Sequence, residues 1–309
     1  MTKYITIDGG TTNTRLTLVS DGRCVDTVRY NVGARANADD STLLKNAVKE
    51  GIFALLNRNN LTEKDITRVL ASGMITSELG LCKLYHIVAP AGIKELHNTM
   101  HETLFPDISG IPFVFIRGVK LKANRLEAAD MMRGEETELF GLYDTLDGVY
   151  ILPGSHSKII EVDENGKITG FKTELTGEMI AALSQNTVLK STVDLSVEKY
   201  SEEYLLKGYR YCNEFGINEA LFKVRVLGNL MGADKVQTYS FFMGVVLSAE
   251  INTVLKTNPK TVTVGGKKQI KEATVTLLKS TTDAEIISVP DSAVDCSSAL
   301  GAVRIFEYQ

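Results

Sequence analysis

The chain has no tryptophan, six prolines, four cysteines and no marked excess of either charge. The cysteines, Cys24, Cys82, Cys212 and Cys296, lie far apart with no Cys-x-x-Cys pair. This spacing excludes a disulfide framework or a cysteine zinc site and suits the reduced thiols of a cytosol. The longest apolar stretch, Phe241 to Ala249, falls short of the roughly 20 residues that span a bilayer. The opening MTKYITIDGG runs straight into a strand-like pattern and lacks the apolar centre of a secretory signal. With 34 basic and 38 acidic residues, a net charge of −4 and no basic tract, neither nucleic acid nor an anionic membrane is an expected partner. No GxxxxGK[ST] is present and no GxGxxG follows a strand, so P-loop and Rossmann-type dinucleotide sites are not expected either. A soluble cytoplasmic protein is the expectation.

What is present is length and an internal repeat. The 309 residues, 44% hydrophobic, suggest about two domains at roughly 150 residues each. ITIDGGTTNTRLTLVSDGR, from Ile5, and VYILPGSHSKIIEVDENGK, from Val149, share one pattern at an offset of 144 residues. Ile5 falls on Val149, Ile7 on Ile151, Gly10 on Gly154 and Thr11 on Ser155. Leu16 falls on Ile160, Leu18 on Val162, Gly22 on Gly166, Arg23 on Lys167 and Gly33 on Gly177. Each copy reads as strand, Gly-Ser/Thr turn, strand, DG or NG turn, strand. Duplication is therefore expected, with halves at 1–143 and 144–309.

Other elements alternate around these hairpins. STLLKNAVKEGIFALLNRN reads as an amphipathic helix capped by Ser41 or an adjacent aspartate, and RVLASGM and IPFVFIRG as buried strands. Residues 197–255 form a helical middle, followed by TVTVGG, KEATVTLLK and a final helix capped by Asp291 or Ser292. In that helix Cys296, Ala299, Leu300 and Val303 share a face, and Ala299, Gly301 and Ala302 permit close packing. The class is α/β.

The chemistry is expected at the turns. In the first, Asp8-Gly9-Gly10-Thr11-Thr12-Asn13, glycines let backbone approach a ligand while hydroxyls and N–H groups face phosphate oxygens. Pro153-Gly154-Ser155-His156-Ser157-Lys158 offers the same donors and a cation. Asp8 falls on Leu152 and has no acidic twin, which suits a single carboxylate orienting Mg²⁺. Gly265 and Gly266, after the strand Val262–Val264, would let adenine or ribose lie against backbone. In Arg133-Gly134-Glu135-Glu136, two carboxylates open a helix and either could serve as general base; Glu135 shares a face with Leu139 and Leu142, Glu136 with Phe140 and Tyr143. Arg133 and Arg225 are candidate cations for an anionic substrate, and Glu178 in TGE could reach a ligand. His97 and His101 are four apart without the glutamate of HExxH, so a solvated helix face is expected rather than zinc.

YITIDGGTTNTR, MRGEETELFG, YILPGSHSKII, LTGE and LFKVRVLG followed by SFFMGVVLSAEI, in that order, resemble the 2-dehydro-3-deoxygalactonokinase family of the actin-like ATPase and sugar kinase superfamily. The chain departs from that family's pattern at Gly9 and Ile159, where members have tryptophan. The resemblance implies two ribonuclease-H-like halves with a cleft between them that closes to exclude water. The first half would hold the sugar and the second the nucleotide. It implies transfer of the ATP γ-phosphoryl group to the 6-hydroxyl of 2-dehydro-3-deoxy-D-galactonate, in galactonate breakdown. Asp8 would hold Mg²⁺, the two turns would hold phosphates, and Glu135, or failing that Glu136, would accept the hydroxyl proton. Two other readings stand beside it: a kinase of this superfamily for another sugar, sugar acid or alcohol, and a non-catalytic nucleotide-dependent sensor or assembly protein. The expected partner is a small sugar acid, and a homodimer is left open.

Overall fold

A computed structural model of the chain describes residues 2–38, 42–122, 124–142, 147–266 and 268–309. Ser41 and its neighbouring aspartates, Tyr143 and the residues around the expected boundary at 143/144 lie outside the described residues. The chain divides into two compact units. Unit 1 comprises Met1–Leu146, Asp163–Gly170 and Ser292–Gln309; unit 2 comprises Asp147–Val162 and Phe171–Asp291.

Unit 1 begins with β1 (Lys3–Gly9), β2 (Thr14–Ser20) and β3 (Arg23–Tyr30), an antiparallel meander. Helix α1 (Leu43–Arg58) and β4 (Arg68–Gly73) follow, with β4 parallel to β1. Next come β5 (Ile87–Val88), α2 (Ile93–Asn98), β6 (His101–Thr103), β7 (Phe113–Phe115), β8 (Val119–Lys120), β9 (Met131–Met132) and α3 (Glu135–Leu142). The main sheet has the order β3-β2-β1-β4-β7-β6, and β5-β8-β9 form a small second one. Leu44, Val48, Ile52 and Leu55 of α1, at spacings of three and four, pack with Ile5, Ile7, Leu16 and Val69 of the sheet. His97 ends up on α2, bonded through Nδ1 to the Ile305 carbonyl at 3.0 Å, while His101 begins β6. The expected shared helix face is absent because α2 stops at Asn98.

Unit 2 repeats the meander as β10 (Gly148–Leu152), β11 (Ser157–Val162) and β12 (Ile168–Glu174). Helices α4 (Thr176–Asn186), α5 (Glu202–Phe215), α6 (Ile217–Leu230) and α7 (Lys235–Lys256) precede β13 (Thr261–Val264), α8 (Lys268–Thr281) and β14 (Glu285–Ser288). The sheet order β12-β11-β10-β13-β14 matches the first five strands of unit 1, with β13 parallel to β10 as β4 is to β1. Strands at the predicted offset therefore occupy equivalent places, which carries the duplication. Helix α7 starts with a capping box, Asp234 with Gln237, and forms the centre of the unit 2 core through Phe242, Val245, Leu247 and Ile251. By length and composition α7 could cross a membrane, but 78% of its apolar window is buried inside the protein, as in a core helix.

The last helix, α9 (Asp291–Phe306), packs with unit 1 although it follows the second half in sequence. Its small residues meet α3 closely: a Cβ on Gly301 would strike the Thr137 carbonyl, and one on Gly141 would strike the Ser297 carbonyl. Arg304 adds a bond of 2.9 Å to the Phe140 carbonyl. Gly9 and Ile159, the two positions at which the family resemblance led to an expectation of tryptophan, are both tightly packed. A Cβ on Gly9 would lie 2.7 Å from the Ile75 Cβ, and Ile159 is buried in β11.

Candidate active site

In unit 1 the end of β1 gathers the charged groups. Asp8 stands opposite Arg15 in the β1–β2 register, and Arg15 Nη2 donates to Asp8 Oδ2 at 2.9 Å. Arg15 also donates to the Asp295 carbonyl at 3.2 Å and to Ser298 Oγ at 3.3 Å, so α9 braces the pair. Asp8 keeps 36% of its side chain exposed. The turn beyond it closes through Gly10 N–H to the Asn13 carbonyl at 2.8 Å, leaving Thr11, Thr12 and Asn13 at the surface.

Helix α3 reaches this place because two glycines let backbone approach backbone. Gly73, at φ +84°, lies against the Gly9 carbonyl, and Gly134, at φ +112°, would place a Cβ 3.1 Å from the Gly73 Cα. The three acids that follow occupy different settings. Glu135 is partly exposed and accepts from the Arg133 backbone N–H at 2.9 Å. Glu136 is fully buried, and both its oxygens accept from the Gly134 N–H at 2.8 and 2.9 Å. It caps its own helix. Its carboxyl is pushed up to about 7 by burial first and by the Glu135 charge second, against the opposing hydrogen bonds. Glu138, one turn on, is pushed up to about 8 by desolvation, then by the charges of Asp8 and Glu135, with Arg15 opposing. Asp8, Arg15, Glu135 and Glu138 thus form one interacting group.

The raised Glu136 carboxyl has a measurable consequence. Above about pH 4.5 the unfolded chain releases this proton while the folded chain keeps it. The group therefore lowers stability progressively from about pH 4.5 to about pH 7 and by a constant amount above that, amounting to roughly 3 kcal/mol. Glu136→Gln keeps a carbonyl acceptor for Gly134 and removes the titration. Its melting temperature relative to the wild type is expected to rise between pH 5 and pH 8. A difference independent of pH would show that Glu136 does not titrate in this window.

Arg133 is engaged by protein groups. Its Nη1 donates to the Thr76 carbonyl at 2.9 Å and to Thr76 Oγ1. Its Nη2 donates to the Leu84 carbonyl at 3.1 Å and lies 3.3 Å from His86 Nδ1. Burial, then the charges of Arg133 and Lys120, push the His86 imidazole down to about 4, so it is neutral and can accept from Arg133.

In unit 2 the second turn is built like the first. Ala34 and Arg35 N–H groups donate to the Gly10 and Thr11 carbonyls; Gly177 and Glu178 N–H groups donate to those of Gly154 and Ser155. Gly33 and Gly177, one offset apart, each lie where a Cβ would strike the backbone of its turn. Gly154, Ser155 and His156 reach the surface, whereas Ser157 and Lys158 are buried in β11. His156 Nε2 lies 3.1 Å from Glu178 Oε1, both side chains being exposed. Gly266 packs on Pro153 and the Gly265 N–H donates to the Ile151 carbonyl at 2.8 Å, so the third turn adjoins the second. A pocket lined by Lys199, Tyr200, Lys268, Glu272 and Thr276 opens just past it. Arg225 lies apart on α6, donating to the Val188 carbonyl at 3.2 Å and to Ser191 Oγ at 3.5 Å; it braces a turn and pairs with no acid among the described residues.

These features can be set beside known proteins. Residues 8–294 match the family model of 2-keto-3-deoxy-galactonokinase. The chain belongs to that family. The match starts at Asp8 and takes in both turns, the RGEE segment and the start of α9. The 2-dehydro-3-deoxygalactonokinase of Escherichia coli K12 is 26% identical over 251 residues, 81% of this chain and 79% of that protein. A crystal structure of a Sinorhizobium meliloti protein provisionally named 2-dehydro-3-deoxygalactonokinase superposes with a TM-score of 0.76 at 21% identity, covering 99% of this chain and 100% of that one. The activator of 2-hydroxyisocaproyl-CoA dehydratase from Clostridium difficile, solved with ADPNP, superposes at 0.52 with 14% identity, covering 97% of this chain and 92% of that one. The fold of this 2-keto-3-deoxy-galactonokinase family member is the duplicated α/β fold of the actin-like ATPases and sugar kinases, as the motifs implied.

Two residues of the group around Asp8 were not singled out from the sequence. Arg15 follows from the hairpin register once the turn is placed at Gly10–Asn13, since the strands on either side then bring positions 8 and 15 opposite each other. Glu138 lies three residues after Glu135, hence on the same helix face. His86, by contrast, comes to Arg133 through tertiary packing alone.

Proposed function

We propose that this chain phosphorylates the 6-hydroxyl of 2-dehydro-3-deoxy-D-galactonate with ATP, giving the 6-phosphate and ADP. The observation that carries the reading is the group Asp8, Arg15, Glu135 and Glu138 at the end of β1, in a chain of this kinase family. Glu135 is assigned as the general base that accepts the hydroxyl proton. It is partly exposed, and its carboxylate is oriented by the Arg133 N–H at the start of α3. Glu136, fully buried and bonded to the Gly134 N–H, is assigned to hold the start of α3.

Asp8 offers a single partly exposed carboxylate, a hard-oxygen donor that suits an Mg²⁺ held otherwise by water and phosphate, since no group of three His, Cys, Asp or Glu that could hold a metal occurs among the described residues. Bound there with ATP, Mg²⁺ would neutralise phosphate charge. Gly9 and Gly10 shape the first turn, where Thr11, Thr12 and Asn13 would donate to phosphate oxygens. Gly154, Ser155 and His156 would do so in unit 2, with Ser157 and Lys158 fixing that turn from beneath and Gly265 and Gly266 shaping its neighbour. Glu178 would orient His156. Arg133 would hold the loop before Glu135 and lend its charge to the substrate carboxylate, with Arg225 supporting unit 2. The four cysteines are free, which suits a cytoplasmic enzyme.

A coupled ADP-release assay over a panel of acceptors tests the reading. Turnover with 2-dehydro-3-deoxy-D-galactonate is expected to exceed that with hexoses, other 2-keto-3-deoxyaldonates and pantothenate-like alcohols. Higher turnover with another acceptor would reassign the substrate, and ATP binding without turnover on any would favour a nucleotide-dependent sensor.

A further inference from the structure

Unit 2 encloses a carboxylate that the proposed chemistry does not use. Glu250, on α7, is 1% exposed, and its Oε2 accepts from Thr176 Oγ1 at 2.8 Å. The hydroxyls of Ser157 and Thr274 neighbour the same carboxylate. Ser157 Oγ, Thr274 Oγ1 and Glu250 Oε1 are all buried and make no hydrogen bond among the described residues. Burial raises the Glu250 carboxyl from its ordinary value, and the Thr176 and Ser157 hydroxyls work against that shift, as does Thr274. An apolar side chain at this position of a core helix would avoid the desolvation cost, so retention of the acid needs a compensating role.

The identity of its neighbours supplies one. Ser157 opens β11, immediately after the second turn. Thr176 opens α4 beside Gly177, whose N–H bonds to the Gly154 carbonyl of that turn at 3.1 Å. Thr274 lies on α8, which follows the Gly265–Gly266 turn packed on Pro153. One carboxylate therefore bonds the start of α4 and neighbours unpartnered buried hydroxyls of β11 and α8, each element leading to a segment assigned to nucleotide. We infer that Glu250 is a positioning residue: it holds the second turn, the start of α4 and α8 in the one arrangement that accepts the nucleotide. The inference rests on the assignment of nucleotide to unit 2 and not on which acceptor is phosphorylated.

The test compares wild type, Glu250→Ala, Glu250→Gln and Thr176→Val by melting temperature, by the Kd of a fluorescent ADP analogue, and by the KM values for ATP and acceptor. Glu250→Ala is expected to weaken ADP-analogue binding and raise the ATP KM by about tenfold, with the acceptor KM within about twofold of wild type. Glu250→Gln keeps an acceptor for Thr176 and gains donors for the hydroxyls, so it is expected to recover most of that loss. Thr176→Val should lose about threefold. A folded Glu250→Ala protein with wild-type ADP affinity overturns the inference, as does an equal rise in both KM values. If Glu250→Ala does not fold, Thr176→Val decides in the same way: unchanged ADP affinity overturns it. A wild type that binds the ADP analogue but phosphorylates no sugar acid defeats the substrate assignment alone; one that binds no nucleotide defeats both.

Discussion

Glu135→Gln is expected to lower kcat by about two to four orders of magnitude while leaving nucleotide affinity within about twofold of wild type. The reason is local. Glu135 carries a partly exposed carboxylate at the start of α3, and the Gln carbonyl can still accept from the Arg133 N–H, so geometry persists while basicity is lost. Glu136→Gln is the matched control. Its carboxylate is sealed under the helix start and bonded to Gly134, so its removal should leave kcat within about tenfold of wild type. Steady-state kinetics of the two variants, with nucleotide binding measured separately, checks this. A Glu136→Gln loss as large as that of Glu135→Gln would return the proton-accepting role to the pair. Wild-type turnover in Glu135→Gln would remove the base assignment altogether.

The second large effect is expected far from any ligand. At the α3–α9 crossing Gly301 rests on the Thr137 carbonyl and Gly141 on the Ser297 carbonyl, so neither helix has room for one added methyl group. Gly301→Ala forces the helices apart, which costs on the order of 1–3 kcal/mol as overpacking and more if the backbones cannot slide. Unit 1 should melt several degrees lower, at about 2–4 °C per kcal/mol for a unit of this size. The same displacement moves α3, which carries Glu135 and Glu138, and α9, which braces Arg15 through Asp295 and Ser298. Because a shift of about 1 Å in reacting groups can cost on the order of 100-fold, kcat should fall well beyond what the stability loss at assay temperature accounts for. Calorimetry with kinetics below the first melting transition separates the two. A variant with an unchanged melting profile would show that the helices are not held in this contact.

Which parts of this arrangement were legible in the sequence follows from the range of the contacts involved. The two meanders and their turns are local, set by alternating β-branched residues and Gly-Ser/Thr turns, and the offset of 144 aligned them before any contact was known. The common role of Gly33 and Gly177 was visible as a match, and its cause is the same close approach to each turn's backbone. Asp8 with Arg15 and Glu135 with Glu138 are one step further. Both follow from periodicity once register or helix start is fixed. Burial of Ser157 and Lys158 was hidden, because a strand covered on both faces has no polar alternation to reveal which side chains turn inward. The partners of Arg133 and Arg225 were hidden for a different reason. Both arginines bond carbonyls exposed by short helical turns, which no residue pattern announces. The small residues of α9 signalled a close helix contact, but only tertiary structure shows that its partner is α3, more than 150 positions earlier in the chain.

The most direct test of the central claim is the structure of the product. Phosphorus-31 and proton NMR of a reaction containing the protein, ATP, Mg²⁺ and 2-dehydro-3-deoxy-D-galactonate should show stoichiometric ADP and a phosphate coupled to the C6 protons, and neither in the Glu135→Gln reaction over the same time. ADP formed without that coupled phosphate, or the same product formed at an equal rate by Glu135→Gln, would contradict it.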